Sequence, residues 1–304
     1  MSGVARLVAA LAAALVLVGC GQPAPPTGTS VPEPAIRPGS TGTVELGDRP
    51  FGLHVPSGYD RTRPTALVVA LHGYTSNATE AYDFFGLAAA DPRGILVALP
   101  EGSANPQGER FWNASAACCD FSGSGVDDVA YLTGVIEKVG QGYAVDPRRV
   151  FVVGHSNGGF MALRLACDAA DVVAAVASVA GAMDVDGECA PAVPVSVLQV
   201  HGDSDDTIGI EGGEINHAGY TSAAVTTGRW RELDACPAGG PEPGPELDAD
   251  ADVPGDDLTR QGWTGCASGS EVALWTIGGG GHVPSLTPAF TAALLDWSEA
   301  NARG

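Results

Sequence analysis

The sequence predicts an α/β protein: a mostly parallel sheet with helices on both faces and an antiparallel hairpin at the N-terminal edge. From residue 43 onward, short apolar runs of strand length alternate with longer segments of helical length. This alternation is typical of a parallel sheet built from β/α units. The chain has 304 residues, 45% of them hydrophobic, which suits one large globular domain with a short tail.

The individual elements follow from the apolar pattern. The edge hairpin is predicted over Thr43–Val55, where two strand-like pieces flank Gly47-Asp48. Six apolar runs are predicted to be buried strands: Ala66–Leu71, Ile95–Leu99, Val150–Val153, Val172–Ala180, Val195–Val200 and Val272–Ile277. Five intervening segments have helical length and spacing: Asn77–Ala90, Val126–Tyr143, Asn157–Cys167, Tyr220–Leu233 and Leu286–Ala300.

The N-terminal segment is predicted to be a targeting signal. The apolar run Leu7–Val18 follows Arg6 and is too short to span a bilayer comfortably. It ends in Gly19-Cys20, within a sequence that resembles the lipobox of bacterial lipoproteins. Residues 1–19 are therefore predicted to be removed and Cys20 to be lipidated, which places the protein on the extracellular face of the membrane. The alternative is ordinary cleaved export with an incidental cysteine, which gives a secreted protein.

The rest of the chain is predicted to consist of a tether and one catalytic domain. Residues 20–42 hold proline, glycine, serine and threonine with few large apolar side chains, which predicts a disordered tether. Residues 43–304 are predicted to form the domain. Within it, residues 237–257 carry seven acidic residues and no basic one, and are predicted to be a solvated loop insertion.

Charge and cysteine content limit the possible partners. The formal net charge is -21, with 15 Lys and Arg against 36 Asp and Glu, so nucleic acid is not an expected partner and membrane contact is expected only through the lipid anchor. A monomer is expected. The six cysteines other than Cys20 lack the spacing of a zinc site, and in an oxidising compartment they predict disulfides. We expect the pairs Cys167–Cys189 and Cys236–Cys266, which leaves the adjacent Cys118 and Cys119 to form a Cys118–Cys119 pair or to stay reduced.

A candidate nucleophile is Ser156. The segment Gly154-His155-Ser156-Asn157-Gly158 fits the pattern G-x-S-x-G, in which a strand turns sharply into a helix and exposes the serine hydroxyl. A predicted buried strand leads into this segment and a predicted helix leads out of it. The context therefore supports the functional interpretation over a structural glycine-rich turn.

A serine hydroxyl needs a base, and the base needs an acid to orient it. In this fold the acid and then the histidine follow the serine. His282 is the better candidate base, because it follows a strand and a glycine run, whereas His217 is expected at the surface or in the pocket lining. The acid is expected in the loop after Val195–Val200, where Asp203, Asp205 and Asp206 remain open alternatives.

Two backbone N–H groups are expected to hold the oxyanion. One lies in the loop that begins at His72-Gly73, after a buried strand, and the other is that of Asn157 at a helix start. Asp127 and Asp128 open a helix and are expected to cap it. No cofactor is required by this chemistry, and no metal site is expected.

Several motifs together resemble the extracellular polyhydroxybutyrate depolymerase and feruloyl esterase family, over roughly residues 43–300. They are Leu71-His72-Gly73, Phe111-Trp112-Asn113 with Cys118-Cys119, Val126-Asp127-Asp128-Val129, Gly154–Gly159, His201-Gly202-x-x-Asp205 and Gly279–His282. The resemblance implies an α/β-hydrolase fold, a triad of Ser156, Asp205 and His282, and Tyr74 near the oxyanion. We also expect Trp112 and His72 to line the substrate pocket.

The predicted activity is hydrolysis of short-chain or aromatic carboxylic esters through an acyl-enzyme. Feruloyl or acetyl esters on polysaccharide and hydroxyalkanoate oligomers are the expected substrates. One alternative is acyl transfer to a cell-envelope acceptor. Another is a noncatalytic surface binding protein.

Overall fold

The structure is a computed structural model that describes residues 35–304 together with Met1 and Gly3. The predicted signal at residues 1–19, the predicted lipidation site Cys20 and most of the predicted tether lie outside these residues. In the part of the chain that is described, no helix is both long and apolar enough to cross a membrane.

Ten of the strands in the described residues form one large sheet, and four form two small hairpins. The strands in chain order are β1 (Ser40–Val44), β2 (Phe51–Val55), β3 (Thr65–Leu71), β4 (Leu96–Leu99), β5 (Ser103–Ala104), β6 (Arg110–Phe111), β7 (Val145–His155), β8 (Ala175–Val179), β9 (Ser196–Gly202), β10 (Gly213–Ile215), β11 (Ala218–Tyr220), β12 (Glu242–Pro243), β13 (Leu258–Trp263) and β14 (Val272–Ile277). The order across the large sheet is β1-β2-β4-β3-β7-β8-β9-β14-β13-β12, while β5-β6 and β10-β11 form separate hairpins.

The middle of the sheet is parallel and its margins are antiparallel. The six neighbouring strands from β4 to β14 run parallel. Strands β1 and β2 on one margin, and β13 and β12 on the other, run antiparallel to their neighbours. The carboxyl ends of the parallel strands therefore meet at one edge, where open α/β sheets build their sites.

Helices cover both faces of this sheet. They are α1 (Ala78–Phe84), α2 (Asp128–Gly142), α3 (Asn157–Asp168), α4 (Ala223–Leu233) and α5 (Pro288–Ala300), with short 3₁₀ helices at Leu87–Arg93 and Ala267–Gly269. Side chains from α2, α3 and α4 pack on one face, and those from α1 and α5 pack on the other. Strand β3 serves both cores because its side chains alternate: Leu67 and Val69 face one core, and Val68 and Ala70 face the other. Burying each large apolar side chain stabilises the fold by roughly 1.5–3 kcal/mol.

The fold class predicted from the sequence is confirmed, with one helix divided. The segment predicted as one helix over Asn77–Ala90 splits at Gly86, which has a φ of 60°. A Cβ at Gly86 would approach the Thr291 hydroxyl to 2.8 Å. This left-handed residue ends α1 and turns the chain into the 3₁₀ helix.

The folded domain begins before residue 43. The side chain of Ile36 is buried, its N–H donates to the Tyr143 hydroxyl at 3.2 Å, and β1 begins at Ser40. The last residues of the predicted tether therefore belong to the domain, because an apolar side chain and a strand edge find partners there.

The acidic insertion is built into the sheet margin rather than detached from it. Glu242 and Pro243 pair with β13, a strand that the sequence did not predict. Ala249 and Asp250 are buried. Glu242 and Pro243 are exposed, as expected of a solvated excursion. The prediction is wrong for Ala249 and Asp250, whose N–H groups donate to the Asp257 carboxylate and whose side chains are held against the domain.

Candidate active site

Ser156 occupies a strained turn between β7 and α3. Its φ of 54° and ψ of -119° lie outside the usual regions for a side-chain-bearing residue. The Ser156 N–H donates to the Val179 carbonyl at 2.8 Å, which fixes the turn to the neighbouring strand. A Cβ on Gly154 would collide with the Gly158 carbonyl, and one on Gly158 would collide with the Leu71 carbonyl. Both glycines are therefore required by close backbone approach.

His282 and Asp205 complete a hydrogen-bonded chain to this serine. The Nε2 atom of His282 lies 2.9 Å from the Ser156 Oγ atom. Its Nδ1 atom lies 2.8 Å from Oδ2 of Asp205. Ser156 and His282 are 126 positions apart in the sequence, and Asp205 and His282 are 77 positions apart. The fold brings all three together at the carboxyl edge of the sheet.

Asp205 is held as a buried carboxylate. Its side chain is fully inaccessible to solvent, and its Oδ1 atom accepts hydrogen bonds from the backbone N–H groups of Thr207 and Ile208 at 2.9 and 2.8 Å. Burial raises the pKa of this carboxyl, but the contacts with His201, His282 and the Ile208 N–H outweigh burial and hold the pKa well below its usual range. Asp205 therefore stays charged opposite His282.

The other residues considered for these positions lie elsewhere. Asp203 accepts a hydrogen bond from the Gly279 N–H at 2.7 Å and thereby anchors the loop that carries His282. Asp206 is exposed. His217 sits in the β10–β11 turn with its side chain 96% exposed, so it cannot contact Ser156.

The two predicted oxyanion donors flank the serine. Gly73 passes close to the turn, since a Cβ built on it would lie 3.5 Å from the Ser156 Cβ atom, and Tyr74 follows it directly. Asn157 opens α3, where the first N–H groups have no partner within the helix. In residues 35–304, neither of these two N–H groups donates to another backbone carbonyl. The geometry can present two donors beside one hydroxyl.

The side chain of Asn157 joins the start of α3 to the loop that contains Trp112. Its Oδ1 atom accepts from the Trp112 N–H at 2.7 Å and its Nδ2 atom donates to the Trp112 carbonyl at 2.9 Å. The Trp112 indole donates to the His72 carbonyl at 3.0 Å and is fully buried. The prediction that Trp112 lines the pocket is therefore wrong, because the indole packs beneath the loop that it supports.

His72 lies against the cavity but is itself buried. Its Nδ1–H donates to the Gly73 carbonyl at 2.7 Å and its Nε2 accepts from the Gly102 N–H at 2.9 Å. Burial lowers the pKa of His72 to about 4, so the ring is neutral at pH 7.

A cavity of about 280 Å³ opens directly over Ser156 and His282. Phe84, Ala81 and Val283 give part of the cavity lining an apolar surface, and polar residues such as Ser76 and Glu80 form the rest. This volume lies just below the range of roughly 300–1,000 Å³ for ligand pockets. It suits a compact group better than a long chain.

Asp128 has a different role from the helix cap that the sequence predicted for it. Asp127 caps α2 as predicted, by accepting from the Ala130 N–H. Asp128 is instead buried and accepts from Arg49 and from the Asn113 N–H, both at 2.7 Å. It ties the loop after β6 to the N-terminal hairpin, a long-range contact that spacing alone does not reveal.

The cysteines form three pairs in the structure: Cys118–Cys119, Cys167–Cys189 and Cys236–Cys266. The first pair belongs to the loop behind the site, since the Cys119 N–H donates to the Trp112 carbonyl at 3.2 Å. Among the described residues, no group of three or more His, Cys, Asp or Glu side chains is arranged to hold a metal ion.

Comparison with known proteins decides the family. Residues 46–237 match the family model Esterase, whose description is "Putative esterase". The chain belongs to this esterase family. A relative named "Putative esterase NocK", from Nocardia uniformis, is 33% identical over 84% of this chain and 74% of its own length.

Two further relatives of this esterase are named feruloyl esterases. Feruloyl esterase B of Piromyces equi is 28% identical over 75% of this chain, but the match spans only 41% of that relative. Feruloyl esterase D of Neurospora crassa is 27% identical over 91% of this chain and 85% of its own length. The esterase is a carboxylic ester hydrolase.

Solved structures support the fold of the esterase. The acetyl xylan esterase from Aspergillus awamori aligns with a TM-score of 0.61 over 86% of this chain and 100% of its own, at 18% identity. Esterase PE8 aligns with a TM-score of 0.51 over 82% of this chain and 97% of its own, at 16% identity. The α/β-hydrolase fold expected from the sequence is confirmed.

Proposed function

We propose that the protein hydrolyses short-chain or aromatic carboxylic esters through a covalent acyl-enzyme on Ser156. The hydrogen-bonded chain from Ser156 through His282 to the buried Asp205 carries this proposal. A serine hydroxyl 2.9 Å from an imidazole nitrogen can lose its proton as it attacks a carbonyl carbon.

The proposed reaction has two halves. In the first, Ser156 attacks the ester carbonyl, His282 takes the serine proton, and the Tyr74 and Asn157 N–H groups stabilise the oxyanion. His282 then donates its proton to the leaving alcohol, and the acyl group stays on Ser156. In the second, His282 takes a proton from water, the hydroxide attacks the acyl-enzyme, and the carboxylic acid leaves as Ser156 regains its proton.

The substrate is proposed to be a small aromatic or acetyl ester linked to carbohydrate. Feruloyl esterases are among the relatives by name. The cavity adds an independent argument, since about 280 Å³ with Phe84 on one wall accommodates one ring or a short chain. Hydroxyalkanoate oligomers remain in the proposed range because their repeating acyl units are short.

The chain is further proposed to act outside the cytoplasm, anchored by lipid at Cys20. The three disulfides fit an oxidising compartment. The run Leu7–Val18 and the cysteine that follows it have the layout of a lipoprotein signal. An anchored hydrolase would meet soluble or envelope-bound esters at the cell surface.

An experiment on the purified protein tests the activity and the nucleophile together. Wild-type protein is expected to react with a fluorophosphonate probe at Ser156 and to hydrolyse methyl ferulate and p-nitrophenyl acetate at least tenfold faster than p-nitrophenyl laurate. Ser156→Ala is expected to lose both activities with an unchanged circular dichroism spectrum, because removal of a hydroxyl that lines the open cavity leaves no void in the core. More than a few percent residual hydrolysis would refute the assignment of the nucleophile.

Two other outcomes would point to different functions. Ester products formed with added alcohols in preference to the free acid would indicate acyl transfer to an acceptor. Failure of wild-type protein to react with the probe or with any ester would indicate a noncatalytic binding protein.

A further inference from the structure

Two buried polar residues on β9 lead toward the carboxylate of Asp205. Gln199 is fully buried and His201 is 1% exposed. They lie outside the cavity over Ser156. Burying a polar side chain is costly unless hydrogen-bond partners compensate, so these two residues must find partners inside the protein.

The hydrogen bonds fix the protonation of His201. Its Nε2 atom lies 2.7 Å from the Ile208 carbonyl, and because a carbonyl only accepts, Nε2 must carry the hydrogen. The Gln199 amide nitrogen lies 3.2 Å from Nδ1 of His201 and donates to the Gly181 carbonyl at 2.8 Å. The Gly181 carbonyl therefore sets the orientation of the amide, and the amide presents a donor to Nδ1. His201 is held neutral, with its hydrogen on Nε2.

The same Nε2–H group also faces Asp205. The distance from Nε2 to Oδ2 of Asp205 is 3.4 Å, so the hydrogen that Nε2 donates to the Ile208 carbonyl also lies near the carboxylate, and this contact helps to hold the pKa of Asp205 below its usual range. Oδ2 also accepts from Nδ1 of His282, at 2.8 Å. Asp205 thus receives two backbone donors on Oδ1, and its Oδ2 atom is in contact with two histidines.

We propose that Gln199 and His201 are positioning residues that orient the Asp205 carboxylate toward His282 without neutralising its charge. The inference rests on the proposed function, since it assigns these residues to the acid of the same site. A neutral donor constrains the carboxylate while leaving its charge free to stabilise the imidazolium that forms at His282 during the reaction. A cationic His201 would compete for that charge.

The substitution His201→Phe tests this role, because it keeps a flat ring of similar size and removes the donor. Without the donor, Asp205 is less stabilised and should attract the His282 proton more strongly. The acid limb of the kcat/KM profile is expected to move to higher pH by about 0.5–1 unit. We expect kcat to fall about tenfold through looser positioning, with KM within twofold of wild type.

The titratable groups that face His282 come from four parts of the fold. His155 on β7 contacts its backbone, and His72 and Tyr74 just after β3 and Glu80 on α1 line the same cavity. Asp205 follows β9, and His201 lies on β9 itself. The substitution changes only His201 among these groups. The low-field proton resonance of the His282 Nδ1–H gives an independent spectroscopic readout and is expected to shift in the variant.

A matched control is His54→Phe. His54 also contacts a carboxylate, Asp91, at 2.9 Å, but β2 is separated from β7 by β4 and β3. This variant is expected to keep the wild-type kcat and acid limb. Gln199→Leu leaves the imidazole in place and is expected to move the acid limb in the same direction by a smaller amount. It also serves as the test if His201→Phe does not fold.

An unchanged acid limb in both His201→Phe and Gln199→Leu would overturn the inference, even if kcat falls, because a merely structural role leaves the pH profile intact. A shift to lower pH would overturn it as well. These results are distinct from failure of the proposed function, in which the wild-type protein itself neither hydrolyses esters nor reacts with the probe.

Discussion

The ring of His155 donates a hydrogen bond of 2.8 Å from Nε2 to the backbone carbonyl of His282. The residue next to the candidate nucleophile therefore holds the main chain of the candidate base. Burial lowers the pKa of His155 to about 4, so the donor is a neutral imidazole under ordinary conditions.

His155→Phe is predicted to lower kcat about tenfold, because it removes this donor and lets the His282 loop drift from hydrogen-bond reach. Steady-state kinetics on p-nitrophenyl acetate provide the measurement. His155→Gln retains an N–H donor and is expected to recover most of the rate. Equal rates for His155→Phe and wild type would show that the contact does not position His282.

Substitutions at the neighbouring aspartates should separate catalysis from loop support. Asp205→Asn is predicted to lower kcat by about three to four orders of magnitude with little change in KM, because the charge that it provides acts on the developing imidazolium. Asp203→Asn is predicted to cost about tenfold or less, since Asp203 acts through the Gly279 N–H. Asp206→Asn is an exposed control. A severe loss in Asp203→Asn with an active Asp205→Asn would reverse the assignment.

Stability is predicted to fall with acidification between pH 6.5 and pH 4. Burial depresses the pKa of His72 from its ordinary value of 6.5 to about 4 in the folded state, so the unfolded chain binds more protons in this window. The stability linked to His72 is complete above pH 6.5 and is lost as pH falls toward 4. At about 1.4 kcal/mol per pKa unit, this one buried group contributes roughly 3 kcal/mol.

Urea unfolding at pH 7 and at pH 5 measures this dependence. His72→Phe is expected to be less stable at pH 7 but to lose less free energy of unfolding between the two pH values. An identical loss in the variant and in wild type would assign the pH dependence to other groups.

The acidic insertion is predicted to stabilise the segment that follows His282. Oδ1 of Asp250 accepts from the Ser285 N–H at 3.0 Å, and Oδ2 of Asp252 accepts from the Ser285 hydroxyl at 2.6 Å. Asp250→Ala removes a buried carboxylate that accepts from the Ser285 and Asp252 N–H groups, which costs about 1–3 kcal/mol. Thermal unfolding should show a lower Tm for this variant, while Asp256→Ala, at an exposed position of the same insertion, should match wild type.

Cys20→Ser is predicted to release the protein from membranes into the soluble fraction, because acylation requires the thiol. Fractionation of cells that express either form, followed by detection of the protein, provides the measurement. Membrane association of the variant equal to that of wild type would count against the lipid anchor and leave ordinary export as the interpretation.

The sequence by itself determined the α/β architecture, because short apolar runs alternating with amphipathic segments leave few other ways to bury the apolar surface. It also indicated Ser156, since G-x-S-x-G after a buried strand encodes a local turn. The order of the elements also predicted His282 as the base and placed the acid among Asp203, Asp205 and Asp206. These inferences depend on residues that are close in sequence.

The tertiary structure decided what depends on distant residues. Which aspartate faces His282 follows from the course of the loop after β9, and spacing left Asp203, Asp205 and Asp206 open. The buried place of Trp112 follows from its bonds to Asn157 and His72, which join the loops after β6 and β3 to the start of α3. Such contacts are fixed by packing across the sheet edge, and no local pattern of residues encodes them.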